Sequence, residues 1–184
     1  MNTRALSDTT ILDPAGGDVR LGDLWRDHPA VMVWLRHFGC LYCREQAVEM
    51  TAARPDIDAQ GASLAFIGNG SPRAAAWFKK KFVPSATVLT DPELASYRII
   101  GARSGVLNTL GPRTWGAGVR ALRGGARQSS VRGHPFQQGG VVVMAPGDAV
   151  VYSYLSRRAG DHPPVADVLT ALGRVAAPAV QLPA

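Results

Sequence analysis

Two cysteines occur in the 184-residue chain, and only Leu41 and Tyr42 separate them. A pair spaced as Cys40-Leu41-Tyr42-Cys43 is too tight to staple distant parts of a fold, and a secreted disulfide scaffold carries more cysteines at wider spacing. The pair reads as chemistry rather than architecture. The nucleophile is the thiolate, and a free thiol titrates at about 8.5, so a reactive cysteine needs surroundings that favour the anion. A helix N-terminus does this through its unpaired N–H groups and dipole. Arg36, His37 and Arg44 stand close by as cationic or hydrogen-bonding groups, and Cys40 is expected to titrate below the free value. With Cys40 exposed at the start of the turn and Cys43 beneath it, Cys40 would attack an oxygen or sulfur of the substrate. Cys43 would then displace the product by closing a disulfide. No flavin or nicotinamide fingerprint is present, so no cofactor is expected and an external thiol reductant, a thioredoxin or glutathione-type system, would reset the pair. The competing readings are two inert buried thiols or half of a zinc site. Zinc is disfavoured, because a structural site needs four ligands and His28, His37, His134 and His162 form no spaced pair.

The dithiol needs a strand before it and a helix after it, and the flanking sequence supplies both. Ala30 to Leu35 is an unbroken apolar run of the kind buried on both faces of a sheet. From Tyr42 to Ala53, Ala47, Val48 and Met50 interleave with Arg44, Glu45, Gln46 and Glu49 as on an amphipathic helix, which Pro55 kinks or ends. Upstream, Gly16-Gly17-Asp18 predicts a hairpin turn, followed by the short Gly22-Asp23-Leu24-Trp25 segment. Downstream, Ser63 to Gly68 predicts a buried strand and Ser71-Pro72 a capped helix to about Phe82. Thr87 to Leu89 predicts a short strand and Asp91-Pro92-Glu93 the start of a helix to about Ile100. Regularity then stops over 101–138, a Gly- and Arg-rich insertion. Gly139 to Met144 resumes the sheet, Ala149 to Leu155 is its antiparallel partner across the Pro146-Gly147-Asp148 turn, and Val165 to Val175 closes the chain as a helix. The expectation is one α/β domain over 1–184, with a core of about 9–175, a frayed tail over 176–184 and a mixed sheet covered by helices on both faces. That order of elements is thioredoxin-like.

Hydrophobic residues at 46% and charged residues at 18% fit a globular chain and not a disordered one. Arg4, Asp8 and Asp13 interrupt any apolar run at the N-terminus, and no stretch approaches the roughly 20 apolar residues of a membrane helix. A cytoplasmic location with no membrane partner is the expectation. The net charge of +6 is concentrated: between Glu93 and Asp148 there is no acidic residue, while seven arginines fall in that gap, starting with Arg98 and Arg103. Such a segment can attract anions, yet it is also what a solvated loop looks like.

The stretch from Arg36 to Glu45, Arg-His-Phe-Gly-Cys-Leu-Tyr-Cys-Arg-Glu, resembles the peroxiredoxin-like (AhpC/TSA-related) family with a CxxC motif. Gly22 to Trp25, Gly139-Gly140-Val141, Ser156-Arg157-Arg158 and Gly160 to Pro164 are similar to that family in kind and order, so the resemblance covers about residues 10–175. It implies a thioredoxin fold and thiol-dependent reduction of a peroxide, endoperoxide or disulfide, with the cysteines carried over as Cys40 and Cys43. Typical peroxiredoxins have Thr three residues before the attacking cysteine, where His37 stands here. Typical thioredoxins have a cis-Pro before the strand that faces the dithiol, where Gln138-Gly139 stands here.

Around the pair, His37 is a candidate acid or base, and Arg44 and Arg157 are candidates to hold a thiolate or oxyanion. Each reads equally as a hydrogen-bonded or ion-paired structural residue. Trp115 and His134 could line a pocket from the long loop. Two other functions compete with a general peroxide or disulfide reductase. One is a specialised biosynthetic enzyme acting on one small molecule, with the loop as its pocket. The other is a redox-switched binding module gripping nucleic acid or an acidic partner through the Arg-rich loop. It is disfavoured because no nucleic-acid motif is present.

Overall fold

Alternation along three interior strands decides the layers. In the computed structural model, which describes residues 1–105 and 133–176, strand β3 (Ala30–Trp34) is buried along its whole length. Successive side chains of a strand point to opposite faces, so Val31 and Val33 enter one core while Ala30, Met32 and Trp34 enter another. Strand β4 (Ser63–Gly68) splits likewise, with Leu64 and Phe66 against Ala65 and Ile67, and so does β6 (Gly140–Ala145), with Val141 and Val143 against Val142 and Met144. Strands this apolar on both sides must be covered on both sides.

The first core is covered by α2 (Leu41–Ala52), α3 (Arg54–Ala59), α4 (Pro72–Phe82) and α6 (Val165–Ala176), which contribute Met50, Ile57, Phe78 and Leu172. The second is covered by α1 (Thr3–Ser7), a 3-10 turn over Leu21–Trp25 and α5 (Ala95–Ile100), which contribute Leu6, Trp25 and Tyr97. With β1 (Thr10–Leu12), β2 (Asp18–Arg20), β5 (Thr87–Thr90) and β7 (Ala149–Leu155), the described residues form a sheet of seven strands in the order β2-β1-β5-β4-β3-β6-β7. Strand β3 runs parallel to β4 and antiparallel to β6, with Trp34 opposite Ile67 on one side and Gly140 on the other. This is the expected mixed α/β sheet with helices on both faces.

Most expected elements occupy their expected residues. The structure corrects four details. Helix α1 was not foreseen; it is five residues long and Asn2 caps it by accepting from Ala5 N–H at 3.1 Å. Pro55 does not merely end α2. It lies in the first turn of α3, where its missing N–H costs nothing. Helix α5 begins at Ala95 rather than at Asp91-Pro92-Glu93, because Leu94 takes a left-handed conformation at φ 58° and the Asp91 carboxylate accepts from the backbone N–H of Ala95 and Ser96. On α2 the inward face is Cys43, Gln46, Ala47 and Met50, while Val48 is exposed. The interior of the insertion, with Trp115, and the tail beyond 176 lie outside the described residues. The two ends of the insertion are described and meet: Gln138 N–H donates to the Arg103 carbonyl at 2.8 Å, and Gly105 N–H donates to Phe136 at 3.0 Å.

Candidate active site

The dithiol hangs between the ends of two parallel strands. Leu35 N–H donates to the Ile67 carbonyl at 2.7 Å, which keeps the chain beside β4 as it leaves β3. The buried Tyr97 hydroxyl donates across the same gap to Leu35 at 2.6 Å and Ile67 at 3.0 Å. Phe38 then plugs into the core against Phe78, ring centres 5.4 Å apart. Cys40 N–H donates to the His37 carbonyl at 3.0 Å, closing a turn that delivers Cys40 as the N-cap of α2.

Both cysteines are free thiols and both are buried, Cys40 at 2% exposure and Cys43 at 4%. The expectation of an exposed Cys40 is therefore corrected. Its side chain turns into the first core, which it shares with Cys43 and Phe38, and the Arg36 guanidinium lies against it, Nη1 to Sγ 3.5 Å. Burial alone would raise both thiols. Cys40 instead falls to about 6, because the Cys43 thiol donates to it, Arg36 faces it, and the Cys43 and Tyr42 N–H groups of the helix N-terminus point at it. Cys43 goes the other way. Burial, and then the neighbouring Cys40 sulfur, push its thiol well up, although Arg36 N–H donates to its Sγ at 3.2 Å. The surroundings thus shift the two thiols in opposite directions, Cys40 toward the anion and Cys43 toward the protonated form.

Arg36 itself is held at both ends. Its Nη2 donates to the Pro135 carbonyl at 2.8 Å, and its own carbonyl accepts from Asn69 Nδ2 at 2.7 Å. Asn69 directly follows β4 and opens the loop to α4, and its Oδ1 accepts from His134 N–H at 2.9 Å. The residues before β6 are therefore tied to Arg36 and Asn69, and they approach β3 very tightly: a Cβ on Gly139 would stand 1.8 Å from the Trp34 carbonyl oxygen.

His37 is buried and its imidazole is driven down to about 4 by burial first and Arg36 second, so it is neutral at pH 7 and supplies no cation. Its Nδ1 has no hydrogen-bond partner among the described residues. The Arg44 guanidinium sits over the Phe82 ring at 5.2 Å. Arg157 is exposed; its N–H donates to Asp161 at 2.7 Å, and its side chain lines a hollow at the β7 edge with Ser153 and Tyr154. His134 is placed by its backbone rather than its ring. A separate cleft of about 20 Å³, space for roughly one water, opens on Cys43 and is lined by Trp34, Gln46, Gly139, Arg158 and His162. Sequence reasoning missed Asn69, whose only local signal is a helix start, and Gln46, which looks like an outward polar position.

Residues 49–158 match the family model described as AhpC/TSA antioxidant enzyme. The chain belongs to this family. The matched stretch begins after both cysteines, so the CxxC motif lies ahead of it. The family's relatives extend further. The chain is 34% identical over 176 residues to the chloroplastic thioredoxin-like protein AAED1 of Arabidopsis thaliana, covering 91% of this chain and 71% of that one. It is 29% identical over 170 residues to the prostamide/prostaglandin F synthase of Salmo salar, covering 89% and 84%. Among solved structures, peroxidoxin BcpB from Mycobacterium tuberculosis superposes with a TM-score of 0.69 at 16% identity, over 93% of this chain and 95% of that one; this shows the shared thioredoxin-like fold. This AhpC/TSA chain is a peroxiredoxin-like oxidoreductase. No helix among its described residues is long and apolar enough to cross a membrane.

Proposed function

We propose that the protein reduces the O–O bond of a peroxide or endoperoxide through a Cys40–Cys43 dithiol cycle that an external thiol reductant resets. The observation that carries this is the opposite shift of two neighbouring thiols: Cys40 is drawn down to about 6 and Cys43 pushed up. A nucleophile must be ionised at working pH, while the resolving thiol must keep its proton until it is needed.

The Cys40 thiolate attacks one peroxide oxygen, the O–O bond breaks, and the leaving oxyanion takes a proton from solvent. Cys40 is then a sulfenic acid when the substrate is a hydroperoxide, and a sulfenate ester of the opened product when it is an endoperoxide. Cys43 sulfur attacks the Cys40 sulfur, and hydroxide, or the second alkoxide of the opened endoperoxide, leaves with the Cys43 proton as water or alcohol. Two thiol groups of a reductant, a thioredoxin or glutathione-type system, then exchange into the disulfide and restore both cysteines. Arg36, fixed against Cys40 Sγ at 3.5 Å, faces the charge in the first step. His37 is neutral at pH 7, the Arg44 guanidinium lies over the Phe82 ring, and the Arg157 side chain lines the hollow at the β7 edge.

The test counts thiols. Prereduced protein is mixed in turn with hydrogen peroxide, an alkyl hydroperoxide and a small disulfide. The wild type loses two thiols per chain and gains an intramolecular disulfide. Cys43→Ser stops at a dimedone-reactive sulfenic acid, and Cys40→Ser stays inert to the peroxides. Thiols that survive in the wild type with every peroxide would overturn the proposal. Loss of thiols to the disulfide alone would restrict the substrate to disulfides.

A further inference from the structure

We infer that Asn69 is a positioning residue for the reaction: it sets the charge state of Cys40 by holding Arg36 at both its roots. The inference rests on the reading that Cys40 works as a thiolate, and it adds a residue that contacts neither sulfur.

Arg36 is a long, flexible side chain whose guanidinium is useful to Cys40 only if it stays at one place. Two anchors define that place. The first is the Arg36 main chain, whose carbonyl accepts from Asn69 Nδ2 at 2.7 Å. The second is the Pro135 carbonyl, to which Arg36 Nη2 donates at 2.8 Å. Pro135 is not part of β6, and its neighbour His134 is tied down through its N–H to Asn69 Oδ1 at 2.9 Å. One buried amide, 2% exposed, therefore uses its donor on the base of the arginine and its acceptor on the segment that receives the tip. Asparagine suits this task because its amide offers a donor and an acceptor in one plane. Gly133 shows how close the arrangement is: a Cβ there would lie 2.1 Å from Asn69 Oδ1, and its φ of +128° is one that glycine adopts without strain. Among the described residues, the ionisable groups that shift Cys40 are the Cys43 thiol and Arg36, and His37 is uncharged at pH 7. Loosening Arg36 removes the cation among these described groups, and the Cys40 midpoint must rise.

The experiment titrates the Cys40 thiolate by the pH dependence of iodoacetamide alkylation in full-length wild type, Asn69→Ala, Arg36→Gln and the double variant, each carrying Cys43→Ser so that one sulfur reports. Cys43→Ser puts a hydroxyl in place of the donating thiol, so every shift is read against the midpoint of this reference. Asn69→Ala and Arg36→Gln should each raise the midpoint by about one pH unit, a tenfold loss of thiolate at any pH below both midpoints. The double variant should match Arg36→Gln alone, because a positioning residue has nothing left to position. Should Asn69→Ala fail to fold, Gly133→Ala, at an exposed site, gives the same reading: a rise in the arginine background and none in the glutamine one. An unshifted midpoint, or shifts that add, would overturn the role of Asn69. A wild-type protein, with both cysteines, whose midpoint lies at 8.5 or above would instead overturn the thiolate reading on which it rests.

Discussion

At the scale of single residues, two groups at the site, His37 lowered by burial and Cys40 lowered by the Cys43 thiol and Arg36 against burial, act in different pH windows. His37 is a base whose folded value, about 4, lies below its ordinary 6.5. Between those values the unfolded chain binds a proton that the native one refuses, so stability is intact above pH 6.5 and is lost as pH falls toward 4. Cys40 is an acid whose folded value, about 6, lies below the ordinary thiol value of about 8.5. Its contribution is fully present above about pH 8.5 and is lost as pH falls through 6. Each group changes stability by at most about 1.4 kcal/mol per pH unit inside its own window. Urea unfolding of the reduced protein should therefore weaken on acidification from pH 8.5 to 4.5. His37→Gln should flatten the lower part of that curve, and oxidation to the disulfide should flatten the upper part by removing the thiolate. A curve that is level from pH 8.5 to 4.5 would contradict both assignments.

At the scale of elements, the site depends on how closely β6 and the residues before it approach β3. Gly139→Ala places a Cβ against a carbonyl oxygen at 1.8 Å, and both partners are backbone, so neither gives way. A loss of about 3 kcal/mol or more is expected from forced separation of the strands, together with a slower reaction of Cys40, since the segment carrying Pro135 moves with Gly139. Denaturation and alkylation rates on the same sample check both. The elements themselves were largely readable, because β3, β4 and β6 are apolar on both faces and Ser71-Pro72 is a strong local start; α4 begins where that dipeptide places it, with Ser71 Oγ accepting from Ala74 N–H at 3.3 Å. The dithiol at a helix N-terminus was readable for the same local reason. What sequence could not supply was long-range. Arg36 was visible as a nearby cation, but its tether to Pro135 spans 99 positions, and Asn69 reaches back 33 positions and forward 65. Gln46 misled because polarity normally points outward, whereas here it lines the cleft beside Cys43. Cys40 misled because an N-cap is usually exposed, whereas this one faces a core.

At the scale of the whole molecule, the dithiol draws its packing and its electrostatics from different places, and the two can be separated. Cys40 and Cys43 share the first core with Val168 and Leu172 of the C-terminal helix. The hydrogen bonds described around the thiols come from Arg36, Asn69, the residues ahead of β6 and the first turn of α2, with none from α6. Leu172 is 1% exposed, and truncating a buried leucine to alanine typically costs 2 to 5 kcal/mol, so Leu172→Ala is expected to lose about 3 kcal/mol. For a chain of this length each kcal/mol lowers Tm by about 2 to 4 °C, giving a fall of about 6 to 12 °C. Alkylation of Cys40 well below the melting transition should nevertheless keep the wild-type midpoint, since nothing that sets its charge has moved. If Leu172→Ala shifts that midpoint as far as Arg36→Gln does, general looseness of the core rather than the Arg36 tether governs the thiolate. If it melts early and titrates normally, the AhpC/TSA sheet provides stability through its helices and reactivity through the loops at the ends of its strands.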